Sequence, residues 1–113
     1  MKHGPKIWLR DILQSIEAVE NYIAKADKDS FLHSRDLQDK VMWRLTVIGE
    51  AVKNLGDAFA GKYPQVPWHK AAAMRNLAVH EYFGIDYETV WSTVIEDLPK
   101  FKSQILEILA RPK

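Results

Sequence analysis

Between Met74 and Asp86 the chain reads MRNLAVHEYFGID, which places Arg75, Asn76, His80 and Tyr82 within eight residues. Their types suit metal-free cleavage of a phosphodiester in RNA. A neutral imidazole can take the proton of a 2′-hydroxyl, and an imidazolium can return one to the departing oxygen, because histidine titrates near neutral pH. A guanidinium braces the extra charge on the reacting phosphate with a fork of N–H donors. Asn76 would orient the imidazole or hold a phosphate oxygen. Spacing alone does not point to this chemistry, since arginine and histidine five residues apart more often serve surface or helix-capping roles.

On a regular helix residues five apart differ by about 140° in azimuth, so Arg75 and His80 do not share a face. Asn76 and His80, four apart, do. If Arg75 and His80 serve one site, a two-fold dimer of such helices would bring both pairs into a shared cleft. Glu50, beside Gly49, offers a carboxylate for Arg44 or Arg75, and Gly49 would let another helix approach closely. A structural salt bridge is the preferred reading of Glu50, with support of the site as the other. Lys53 and Asn54 read as a solvated helix face, with an RNA-facing patch as the alternative. Glu81, next to His80, is expected to be exposed and would raise the histidine's pKa. His3, His33 and His69 have no second ligand at metal-binding spacing and read as surface or turn residues, so no metal and no cofactor is expected.

The elements that must carry these residues follow from apolar periodicity. Leu9, Ile12, Ile16, Val19 and Ile23 are spaced 3, 4, 3 and 4 apart, the stripe of an amphipathic helix from Pro5 to about Ala26. KADKDSFLHSRD has no sustained period and reads as a connection containing at most a short helical turn. A second stripe, Leu37, Val41, Leu45, Ile48, Val52, Leu55 and Phe59, predicts a long helix over about Arg35 to Ala60, capped by Gly61. KYPQVPW, with Pro64 and Pro67, cannot be regular helix. A helix carrying the Arg75 segment should begin at Trp68, which would pin its start, and end near Gly84. Asp86 is placed to cap YETVWSTVIEDL, with Glu88 in its first turn. Pro99 either kinks that helix or begins another, whose apolar face is Phe101, Ile105 and Leu109. Trp8, Trp43, Trp68 and Trp91 read as core or interface anchors. No segment alternates with period 2, so the fold class is all-α, an antiparallel bundle of four main helices with a possible fifth.

Composition sets the outer bounds. The chain has 113 residues, 16 Lys+Arg against 15 Asp+Glu, and no cysteine. One domain over residues 1–113 is expected, held by a hydrophobic core without disulfides. Thiol catalysis and cysteine-based metal ligation are excluded. A formal charge of +1 does not coat the surface for nucleic acid, so any polyanion site must be local. MKHGPKIWLRDI has no apolar signal core and no window suits a spanning helix, so a cytoplasmic protein without membrane contact is expected.

MRNLAVHEYFGID, preceded by YPQVPW and followed by IEDLP, resembles the HepT-like family of small helical HEPN proteins. WLRDILQSIEAVENYI and VIGEAVKNL extend the resemblance over about residues 7 to 105. The family's motif, Arg, four residues, His, one residue, Tyr, falls on Arg75, His80 and Tyr82, and its polar residue after the arginine on Asn76. The resemblance implies a dimeric HEPN bundle that acts as a metal-independent endoribonuclease, the toxin of a type VII toxin–antitoxin pair. It also implies a minimal nucleotidyltransferase antitoxin as partner, which would adenylylate Tyr82. An adenylyl group there would add bulk and negative charge two residues from His80. The alternative from a different class is a non-catalytic helical module that binds a nucleotidyltransferase or a nucleotide.

Overall fold

The computed structural model describes residues 4–79 and 84–111, with only the backbone described at 77–79. Among the described residues every regular element is helical: α1 (Pro5–Ile23), α2 (Lys28–Leu32), α3 (Arg35–Gly61), α4 (Trp68–Ala72), α5 (Met74–Val79), α6 (Tyr87–Ser92) and α7 (Leu98–Ala110). A π-helical stretch, Thr93–Asp97, joins α6 to α7. The all-α expectation holds.

The two long stripes do what their periodicity demands. Leu9, Ile12, Ile16 and Val19 of α1 meet Val41, Leu45, Ile48 and Val52 of α3 in one core, to which α7 adds Phe101, Ile105 and Ile108. Ile108 rather than Leu109 carries the buried end of α7. Polar side chains tie the same elements together. Arg44 on α3 donates to the Tyr22 hydroxyl at 3.4 Å and to the buried Ser15 hydroxyl at 3.5 Å, both on α1. Lys102 on α7 reaches Glu20 on α1 at 2.8 Å.

The irregular connection contains α2, closed by a reciprocal cap in which Asp27 accepts from the Ser30 amide and the Ser30 hydroxyl accepts from the Asp27 amide. That cap fixes Phe31, which is fully buried against Tyr87 and Trp91. Asp86 caps α6 as its position foretells, accepting from the amides of Glu88 and Thr89.

Three features depart from the periodic reading. Helical geometry in α3 is interrupted at Gly56, which has φ 85° and ψ 164°, a conformation essentially restricted to glycine. The cap falls one residue later than expected: Gly61 is the last helical residue, without a positive φ, and Lys62 caps the helix in right-handed conformation. The helix beginning at Trp68 breaks at Ala73 into α4 and α5. Of the two readings of Pro99, the structure has the second, a further helix with the proline at its start. It occupies the first turn of α7, and the turn before it widens to π geometry, with the Leu98 amide bonding the Thr93 carbonyl. A proline has no N–H to return and crowds the preceding turn, so the loosening falls where proline would otherwise clash.

Of the four tryptophans, Trp68 is buried and Trp8 and Trp91 are half-buried, whereas Trp43 is 63% exposed and anchors nothing in the core.

Candidate functional site

Arg75 is positioned by a notch in α3. A Cβ added at Gly49 would stand 2.8 Å from the Arg75 backbone nitrogen and 2.9 Å from both the Ala72 carbonyl oxygen and the Arg75 Cβ. No side chain fits there, so α3 and the α4–α5 junction touch backbone to backbone. The break at Ala73 lies on this contact. Trp68 holds the start of α4: its indole N–H donates to the Tyr63 carbonyl at 3.0 Å, and its ring meets Phe59 and Phe101 edge-on. The expectation that Trp68 pins this helix is met.

With the helices so close, Arg75 forms a hydrogen-bonded ion pair with Glu50, the neighbour of Gly49. Of the two arginines offered to Glu50 by the sequence, the structure pairs it with Arg75. Arg44 lies six residues from Glu50 and about 120° away in azimuth, turned instead toward α1. The hydrogen bond from Arg75, with the charges of Arg75 and Lys53, holds the Glu50 carboxyl below the usual carboxylate range. Both side chains stay partly open, 32% for Arg75 and 47% for Glu50. The guanidinium has five N–H donors, and the bond to Glu50 uses a single nitrogen, so donors remain for an anion.

The open side of Arg75 faces a cleft of about 340 Å³ whose walls include Lys53, Gly56, Asp57, His69 and Asn76. Asn76 is exposed, next to Arg75 on α5, and its backbone N–H donates to the Ala73 carbonyl. The cleft owes its shape to Gly56 and to the small side chains of Ala60, Ala72 and Ala73. Nothing in the stripe of α3 marks Gly56 beyond its being a glycine inside a helical pattern, which a helix tolerates at a modest cost. His80 and Tyr82, the other two motif residues, lie outside the described residues, as does Glu81. His33 is exposed, its ring bonded to the Asp29 carbonyl, and His69 is exposed on α4. No group of three or more His, Asp or Glu able to hold a metal occurs among the described residues.

A family model described as ribonuclease HepT-like matches residues 12–108. The chain belongs to that family. The HepT-like sequence is 38% identical over 104 residues to a Thermococcus cleftensis protein named "Probable ribonuclease HepT", covering 92% of this chain and 94% of that one. It is 41% identical over 108 residues to a Methanocaldococcus jannaschii protein named "Putative RNase", covering 96% and 89%. A second protein of that organism, named "Gamma-glutamylcyclotransferase and putative RNase", is 43% identical over 109 residues; these are 96% of this chain, which spans about half that relative's length. No solved structure matches the chain. In this HepT-like chain no described helix is long and apolar enough to cross a membrane.

Proposed function

We propose that this HepT-like chain is a metal-independent endoribonuclease, working in the cytoplasm as the toxin of a toxin–antitoxin pair. The observation that carries the reading is Arg75: a motif arginine clamped by Glu50 at the mouth of a cleft, in a chain whose family and relatives are named for ribonuclease activity.

His80 takes the proton from a ribose 2′-hydroxyl, the oxygen attacks phosphorus, and the bond from phosphorus to the 5′-oxygen breaks as an imidazolium protonates that oxygen. The products are a 2′,3′-cyclic phosphate and a free 5′-hydroxyl. Arg75 stabilises the charge that accumulates on the phosphate oxygens, and Asn76 orients the imidazole or holds one of those oxygens. Because Arg75 and His80 differ in azimuth, the reaction draws on a homodimer whose two motif segments face one cleft. A minimal nucleotidyltransferase partner silences the enzyme by transferring AMP to Tyr82, and the added phosphate competes with RNA for arginine.

The test is cleavage of an RNA pool in excess chelator by the parent, Arg75→Ala and His80→Ala proteins, with circular dichroism to confirm folding. Chelator-resistant cleavage by the parent and its loss in both folded variants is the expected result. Undiminished cleavage by both variants would overturn the assignment, and a stable complex with the transferase without any cleavage would replace it by the binding-module reading. Tyr82→Phe should resist a mass gain of one AMP in the presence of the cognate transferase.

A further inference from the structure

The hollow beside Arg75 does not end at His69. A second hollow of about 700 Å³ adjoins it, sharing Asp57, Ala60, Trp68 and His69 as common wall and continuing past Pro64 to Lys70. Each is of the size that holds a small-molecule ligand, about 300–1,000 Å³. The shared boundary makes them one groove that starts at Arg75 and runs between the second half of α3 and α4. Both Lys53 and His69 are exposed along it, and the charge of Lys53 also bears on Glu50. The floor is partly apolar, from Ala60 and the buried Trp68.

Resting on the ribonuclease reading above, we infer that this groove seats the RNA strand next to the scissile phosphate, with Lys53 on a neighbouring phosphate and His69 against a base. The chemistry favours a single strand. The Lys53 ammonium, lining the same hollow as Arg75, supplies a point charge for a second phosphate, and the exposed His69 imidazole beside Trp68 offers a face for stacking and an edge for hydrogen bonding. A groove bounded by one helix and a short helical segment fits splayed-out bases; a duplex would present its stacked bases inward and leave the floor empty. Asp57 lies on the same wall and gives the groove one carboxylate, which disfavours a second phosphate at that point and favours a base donor there. On the sequence His69 reads as a surface residue, since the α3 wall of the groove lies far from it along the chain.

The experiment measures binding of a fluorescently labelled 2′-O-methyl oligoribonucleotide, which lacks the attacking hydroxyl, by anisotropy across a salt series. The proteins are the parent, Lys53→Ala, His69→Ala and Ala73→Leu, whose added bulk at an exposed position fills the nearer hollow. Loss of one charged hydrogen bond weakens binding about tenfold, so Lys53→Ala should bind about tenfold more weakly. Its slope of log affinity against log salt should fall by about 0.7, the value for one phosphate contact on a single strand. His69→Ala should weaken binding without changing that slope, and Ala73→Leu should weaken it with both cations intact. Parental affinity in all three variants, or no binding by the parent at low salt, would overturn the inference. Variant-sensitive binding by a protein that never cleaves RNA would instead sustain the groove and remove the ribonuclease reading.

Discussion

Gly49→Ala puts the contact that positions Arg75 to a direct test. The new methyl carbon would lie 2.8 Å from the Arg75 nitrogen and 2.9 Å from the Ala72 oxygen, both backbone atoms, and 2.9 Å from the Arg75 Cβ. None of these is the end of a flexible chain, so relief requires α3 and the α4–α5 junction to separate. Overpacking of a tight contact costs about 1–3 kcal/mol, and three simultaneous clashes with main-chain atoms and a Cβ place this one toward the upper part of that range. An unfolding entropy of about 2.1 cal/mol/K per residue, scaled to this chain, turns about 2–3 kcal/mol into a fall in Tm of about 8–12 °C. Thermal melts followed by circular dichroism measure it. Gly61→Ala is the control, because a Cβ there meets nothing within 4 Å and the backbone is ordinary helix. It should hold or slightly raise Tm. RNA cleavage by Gly49→Ala should fall further than its folded fraction, since the displaced backbone carries Arg75. A Gly49→Ala protein that melts with the parent would refute the backbone-to-backbone contact and the account of how Arg75 is held.

Three further substitutions probe other parts of the same scheme. Glu50 is held below the usual carboxylate range by Arg75, so its contribution to stability is full above that range and is lost as pH falls through its lowered value. Glu50→Gln should therefore differ from the parent most at neutral pH, with the gap in urea midpoints closing in acid. Phe31→Ala empties a fully buried site between α2 and α6 and should cost about 3–5 kcal/mol in denaturant titrations, which tests whether the short helix α2 belongs to the core. Asp86→Ala removes the acceptor for two amides at the start of α6 and should lower the midpoint in the same assay by less than Phe31→Ala does.

What the sequence made legible follows from how local its causes are. The stripes of α1 and α3 fix both helices and their buried faces, because periodicity of 3.6 acts within one element. The Asp86 cap and the Pro64 to Pro67 break are equally local. The breaks at Gly56 and Ala73 are not, since the first depends on a glycine adopting φ 85° and the second falls where α4 and α5 cross Gly49. The site shows the same division. Arg75 and Asn76 stand out by type and spacing, and Glu50 by its place beside Gly49. Only the crossing selects Arg75 over Arg44 as its partner. Lys53 reads as part of a solvated face on α3 alone, and becomes one wall of a cleft when α4 is laid across it.

The near-neutral charge of the chain bears on how such a protein can engage RNA. Many of its cations are spent on carboxylates: Arg35 on Asp39, Lys40 on Asp36, Lys28 on Glu88, Lys70 on Asp97, Lys102 on Glu20 and Arg111 on Glu107. Pairs of this kind leave little field beyond a Debye length of about 8 Å in physiological salt, so they do not gather polyanions from a distance. Arg75 differs in its place: Glu50 engages one of its guanidinium nitrogens, as a carboxylate does for Arg35 and Arg111, but Arg75 lines a cleft that also carries Lys53. Affinity then depends on a few groups at close range, and a modification at the motif would remove much of it. A broadly basic surface would keep holding RNA after one such group was blocked, whereas a chain with a formal charge of +1 has no such reserve. The same economy of charge that argues against a general nucleic-acid coat is what the proposed single-site switch at Tyr82 would need in order to suffice.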